Sequence, residues 1–595
     1  MKFFKTFLAS VLGTILGVLI LVLILFATLV SSSSEPEPYV RSSSVLTISM
    51  KGDIPARAID DPFEELFNPA AGQKLSLESL KKNLEKAAAD DNIEGIWIKT
   101  NMVSASWANL ESAYKSIEKY KESGKFLYVS TDDIGMNEKS YFLATLADSV
   151  FSPPETGFEF DGFVAQLTFY RDMLDKIGIE PEIFRVGRYK SAVEPFLQTS
   201  SSPESRQQIS EILEATSAVF IEAVAKKTGR SFNEVNAMLD SPPVNRLDYA
   251  LETGLIDAFA FEDEVEDVIK NRLGLDEDDD LKTISFRRYS RVSDRSAGLE
   301  ASTASDKIAV IYASGAILPQ LDGSPFATSP TITADNFKKQ LDEATKDDNV
   351  KAVVVHINSP GGAATTSDIL WHHIKQASEK VPVVAAMGSV AASGGYYMAM
   401  GADTVVAAEN TITGSIGIFN LLFNAQELME EKLGIDYEIL KTHEYADLLN
   451  LTTPFTEQES RIIQQNVESG YETFLQRVAE ARGMTRDEVH EVAQGRVYTG
   501  VTAKEAGLID ILGDLNRAIE VAAEMASIED YQLDSYPKQK DLFETLFSSA
   551  NAQMKSWVHS WIPADVQSEL NNFSMLLKQP KGLNWMLLPV SFDAN

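Results

Sequence analysis

The chain is 595 residues long, with 44% hydrophobic and 24% charged residues, a composition of globular proteins with ample core and not of disordered chains. Its 53 basic and 87 acidic side chains leave a net charge of -34, which disfavours a sequence-independent nucleic-acid role because phosphate backbones need a positive footprint. The count of 0 cysteines excludes disulfides, thiolate nucleophiles and cysteine-based zinc sites, and leaves folding open to an oxidising or a reducing compartment.

From the N-terminus, Phe7 to Val30 is an uncharged apolar run, long enough for the roughly 20 residues that cross a bilayer. Lys2 and Lys5 precede it, so the positive-inside rule places the N-terminus in the cytoplasm and the rest of the chain outside. A cleaved signal peptide is the competing reading, but its apolar region would be only about 7–15 residues and would end in an A-x-A-like site, which Phe26 to Val30 does not offer. The segment 1–44 therefore reads as cytoplasmic stub, anchor over 7–30 and polar Ser/Pro tether.

Val45 to Met50 then alternates like a strand and opens a first unit over 45–275, and Lys307 to Tyr312 opens a second over 306–540. The segment from Lys81 to Phe151 runs parallel to that from Lys338 to Val406: Asp90-Asp91-Asn92 pairs with Asp347-Asp348-Asn349, and Ala147-Asp148 with Ala402-Asp403. One unit has been duplicated. Strand and helix alternate in each copy, which predicts α/β units with a mostly parallel sheet buried on both faces. Charge runs and Arg/Ser-rich sequence predict a linker over 276–305, and residues 541–595, with Trp557, Trp561 and Trp585, form a tail beyond the repeat.

The copies differ where acyl transfer would need particular groups. After its strand the second copy reads Asn358-Ser359-Pro360-Gly361-Gly362, where the first reads Asn101-Met102-Val103-Ser104-Ala105. Such glycines let backbone N–H groups approach a substrate carbonyl, the geometry of an oxyanion hole; a plain Pro-Gly turn is the alternative. Ala391-Ala392-Ser393-Gly394-Gly395 falls between a strand and a helix, where the first copy has Asn137-Glu138-Lys139-Ser140. This is the setting of a nucleophile elbow, although a small-residue packing site with an N-cap serine has the same pattern.

A serine nucleophile needs a base. None of His356, His372, His373, His443, His490 and His559 has persuasive context, so a Ser-Lys dyad remains, with a lysine whose pKa falls by burial or nearby positive charge. Lys190, in EIFRVGRYKSAVEPF of the first copy, lies opposite Ala446 of the second and has Arg185 and Arg188 close by. Pattern alone does not select it among the lysines.

INSPGG (Ile357 to Gly362), AASGGYY (Ala391 to Tyr397), TGSIGI (Thr413 to Ile418) and GRYKSAVEPF (Gly187 to Phe196) together do. On these motifs the chain resembles the bacterial signal peptide peptidase A (protease IV) family in its long form, with tandem Clp-protease/crotonase-like (ββα-superhelix) domains and an N-terminal transmembrane helix. The resemblance implies Ser393 as nucleophile, Lys190 as general base, Ser415 as the group positioning the lysine, and the N–H groups of Gly361 and Gly394 as oxyanion donors. It also implies a homotetramer on the outer face of the inner membrane that degrades leftover signal peptides and other apolar peptides, with no metal or organic cofactor. A crotonase-type acyl-CoA enzyme and a non-catalytic membrane-tethered scaffold are the alternatives; CoA binding and labelling by a serine-directed probe distinguish them.

Overall fold

The structure is a computed structural model and describes residues 37–58, 75–240, 247–276, 278–300, 303–319, 330–538 and 585–587, together with residues 13, 14 and 17. The expected anchor over 7–30 and tail over 541–595 lie, apart from these few positions, outside the described residues. Among the described residues no helix is long and apolar enough to cross a membrane.

The first copy contains β1 (Ser44–Gly52), α1 (Leu77–Ala89), β2 (Ile93–Val103), α2 (Trp107–Lys121), β3 (Phe126–Thr131) and α3 (Glu138–Ala144). It continues through β4 (Ser149–Ser152), β5 (Glu180–Val186), α4 (Pro203–Thr228), β6 (Ala258–Phe259) and β7 (Thr283–Ser285). The second contains β8 (Lys307–Ser314), β9 (Ala316–Ile317), β10 (Thr331–Ile332), α5 (Ala334–Lys346), β11 (Val350–Ser359), β12 (Gly361–Ala363) and α6 (Ala364–Ser378). After these come β13 (Val383–Ala392), α7 (Gly394–Ala399), β14 (Thr404–Ala407), β15 (Ile412–Gly414), β16 (Ile418–Asn424), β17 (Val497–Tyr498), β18 (Ile511–Leu512) and β19 (Gln532–Tyr536), then β20 (Trp585–Leu587).

The duplication is visible in the sheets. The first is ordered β6-β4-β3-β2-β1-β7, and the eight-stranded second contains the same succession of equivalent strands, β18-β14-β13-β11-β8-β19, all parallel, to which it adds β15, parallel to the end of β13, and β17, antiparallel to β15. Equivalent side chains tie down equivalent strands. Asp148 accepts from Leu127 N as Asp403 does from Val383 N, at 2.8 Å in each case. Tyr141 Oη donates to Leu255 O at 2.7 Å, and Tyr396 Oη to Leu508 O at 2.8 Å. The inner strands are apolar and largely buried, as a parallel sheet covered on both faces requires.

Two features depart from the expected layout. Residues 276–305, read as a linker, contribute β7 to the edge of the first sheet and place Phe286, Tyr289, Val292 and Ala297 in its core. Buried Lys86 holds this segment by donating to Tyr289 O and Val292 O, both at 2.9 Å. Its Arg/Ser-rich composition hides the few apolar side chains that do the packing. The second departure is an exchange between copies: β5 of the first pairs antiparallel with β16 of the second, Ile418 opposite Val186 through Asn424 opposite Glu180. That pairing belongs to a smaller sheet, ordered β10-β9-β12-β20-β16-β5, which borders the site described next.

Candidate active site

β13 runs straight into Ser393, whose backbone (φ 55°, ψ -111°) turns sharply into α7. A non-glycine residue at positive φ persists only where its surroundings hold it. Here Ser393 N donates to Gly414 O and Ser393 O accepts from Tyr397 N, both at 2.8 Å. The strand–turn–helix setting expected of a nucleophile elbow is present. Gly394 is required by close approach, since a Cβ there would lie 2.5 Å from Ser367 Oγ and 3.1 Å from Gly362 N. The elbow thus presses against β12, which carries Gly361 and Gly362.

Lys190 arrives from the other copy. The β5–β16 pairing carries the Gly187–Ser191 turn into the second half, where the turn Gln494-Gly495-Arg496 cradles it: Tyr189 N donates to Gln494 O at 2.9 Å. Gly495 (φ 80°) leaves room for the lysine, because a Cβ there would sit 2.6 Å from Lys190 N. Lys190 is 0% exposed, and its Nζ lies 2.8 Å from Ser393 Oγ, 3.0 Å from Ser415 Oγ and 3.1 Å from Ser415 O. Ser415, also at positive φ (51°), is itself fully buried.

Burial holds the Lys190 amine well below its usual range. Neighbouring positive charge is not the cause: Arg185 Nη1 donates to Lys190 O at 3.1 Å, and the Arg188 guanidinium lies 5.1 Å from the centre of the Tyr189 ring. A neutral amine has two N–H groups and one lone pair, which matches these three neighbours. Both N–H groups are satisfied by Ser415 Oγ and O, leaving the lone pair to accept the Ser393 hydroxyl proton. The arrangement can activate a serine for attack on a carbonyl carbon.

The amide of Gly394, in the first turn of α7, has no intrahelical acceptor, whereas Gly361 N donates to Ser359 Oγ at 3.1 Å. β20 lies antiparallel on β12 with Gly361 opposite Leu587 and Ala363 opposite Trp585, and Trp585 also pairs with Phe419 of β16. The edge beside the glycines therefore accommodates an extended chain.

No described histidine is a hydrogen-bond partner of Ser393 or Lys190. His356 is 4% exposed, and burial pushes its imidazole down to about 4. His490 Nδ1 lies 3.0 Å from Tyr471 Oη, and His559 falls outside the described residues. Among the described residues no group of three or more His, Asp or Glu side chains could hold a metal ion. The first copy has Glu138 at the position of Ser393, buried and accepting from Asp161 N at 2.9 Å and Gly162 N at 3.3 Å. Sequence reasoning missed the turn at 494–496, for which the Gln-Gly pair was a signal only of a turn.

The sequence model described as Peptidase family S49 matches residues 119–276 and 375–529. The chloroplastic serine protease SPPA of Arabidopsis thaliana is 34% identical over 490 residues, covering 82% of this chain and 70% of the relative. Protease 4 of Salmonella typhi is 30% identical over 513 residues, covering 84% and 80%. Protease 4 of Haemophilus influenzae is 29% identical over 547 residues, covering 88% and 86%.

Proposed function

The chain belongs to peptidase family S49 and is a serine endopeptidase, and from that premise we propose that Ser393 and Lys190 form its catalytic dyad. The observation that carries this reading is the fully buried amine 2.8 Å from a serine hydroxyl at a strand–helix elbow. Neutral Lys190 takes the proton of Ser393 as its oxygen attacks the peptide carbonyl carbon. The oxyanion is held by the N–H groups of Gly394 and of Gly361, the latter exchanging its bond to Ser359 Oγ for the substrate oxygen. Lys190 Nζ then gives the proton to the leaving amine, the C–N bond breaks, and water activated by the same amine hydrolyses the acyl-enzyme.

The substrates are leftover signal peptides and other apolar peptides, bound as an extended strand on β12; the antiparallel seat of β20 on that strand supports the mode. The domains are Clp-protease/crotonase-like, and the enzyme is held by the run over 7–30 at the inner membrane, with its catalytic body on the outer face. It works as a homotetramer, a reading supported by the exposed apolar side chains of Leu433, Ile435, Tyr437, Leu440 and Leu451 in one segment of the second copy.

The dyad is tested by intact-mass analysis after incubation with a fluorophosphonate, alongside Ser393→Ala. One adduct in the wild type, absent from the variant, is expected. No adduct on a folded, monodisperse protein would overturn the assignment.

A further inference from the structure

The two dyad residues come from opposite copies, 203 residues apart, so their separation depends on whatever clamps one copy to the other beside them. Gln208 on α4 occupies that position. It is 2% exposed, and its amide nitrogen donates to Ser191 Oγ at 2.9 Å and to Tyr189 O at 3.4 Å, gripping the residues on both sides of Lys190. Its amide oxygen accepts from Val497 N at 3.2 Å. Val497 is the ladder partner of Gly414 in β15, Arg496 O accepts from Ser415 N at 2.7 Å, and Gly414 O accepts from Ser393 N at 2.8 Å. One planar amide therefore joins the turn that carries the base to the strand pair that carries Ser415 and anchors the Ser393 backbone.

We propose that Gln208 is a positioning residue for the dyad, setting the distance and orientation of the Lys190 amine relative to Ser393 through the Tyr189–Ser191 turn and the Val497 N–H. The proposal rests on the Ser393–Lys190 reading above. Two features of the surroundings favour this over simple core filling. Both ends of the amide are used in opposite senses, donor to the first copy and acceptor from the second, which an apolar residue of the same volume cannot reproduce. One helical turn further on, Glu211 pairs with Arg496 at 3.0 Å, so the same face of α4 grips the facing turn twice. The charged and titratable groups around the turn are Arg185, Arg188, Tyr189 and Glu194 on its own segment, Glu211 on α4, and Arg496 and Tyr498 opposite.

The test uses the full chain and a chromogenic peptide, with Gln208→Leu and Gln208→Glu compared to wild type for kcat, KM, thermal midpoint and the rising limb of kcat/KM against pH. Gln208→Leu leaves the Val497 N–H and the Ser191 hydroxyl without their partner and loosens the turn, so kcat falls about 10- to 100-fold while KM stays within about two-fold. The limb moves to higher pH as water reaches the lysine. Gln208→Glu keeps the acceptor for Val497 N–H but adds a carboxylate near the amine; its activity is low at neutral pH and returns at alkaline pH. If activity instead falls only with the folded fraction and both limbs stay in place, the residue is structural and the proposal is overturned. Near-wild-type kcat in Gln208→Leu overturns it as well, and should that variant not fold, the limb of Gln208→Glu decides. A wild type that takes no fluorophosphonate at Ser393 would instead strike down the dyad reading, so the two failures are separable.

Discussion

Replacing Lys190 with Met keeps the length and volume of the side chain and removes only the amine. Lys190 moves the proton twice, as base in acylation and as acid toward the leaving amine. General acid–base catalysis alone accounts for about 10²–10⁴ and residues acting as a unit for about 10⁶, so kcat/KM falls at least about 10⁴-fold, roughly 5.5 kcal/mol. Stability responds differently. The variant loses three contacts of Nζ, at a net value of about 1 kcal/mol each. Against this, burial holds the amine below its usual 10.5, so between the folded and unfolded pKa the unfolded chain binds one more proton than the folded one. The lysine's contribution to stability thus declines as pH drops through that window, and methionine abolishes the decline. Peptide hydrolysis and thermal unfolding across pH together make the assay. The expected result is an inactive protein whose melting midpoint gains on the wild type as pH is lowered below 10.5. Residual activity above about 0.01%, or a wild type that gains on the variant upon acidification, would refute the idea of a neutral buried base.

Ser415→Ala removes the acceptor 3.0 Å from Nζ and leaves one buried N–H unsatisfied, a loss of about 1–3 kcal/mol that lowers kcat about 5- to 150-fold; an unchanged kcat would show that Ser415 O alone positions the lysine. Glu111 of α2 is buried against the second copy, its Oε1 accepting from Asn410 N at 3.0 Å, and burial pushes its carboxyl up to about 7. Ionising it costs stability as pH rises from 4.5 through 7, so Glu111→Gln, which does not titrate, should be more stable than wild type at pH 8 by up to about 3 kcal/mol in urea unfolding; equal stability there refutes the raised pKa. Deleting residues 585–595 clears the edge of β12 that β20 occupies, so KM for a peptide should fall with kcat kept, and an unaltered KM would mean that the strand does not compete.

The duplication, the α/β class and the elbow were legible locally, because strand and helix periodicity and paired motifs such as Asp90-Asp91-Asn92 and Asp347-Asp348-Asn349 are properties of short stretches. The unequal chemistry was legible too: Glu138 faces Ser393 across the repeat, and no glycine pair follows Asn101. Lys190 emerged only through the motif resemblance, since nothing in RYKSA marks one lysine as buried. The assignment of 276–305 as a linker followed its composition and missed four apolar side chains that close the first core. What the tertiary structure alone decided is the removal of water from Lys190, its cradle at 494–496, the grip of Gln208 on Val497 from 289 residues away, and the Glu111–Asn410 contact. A pKa and a donor–acceptor distance are set by whatever surrounds a group in space. Here those surroundings come from the opposite copy, beyond the reach of any local pattern.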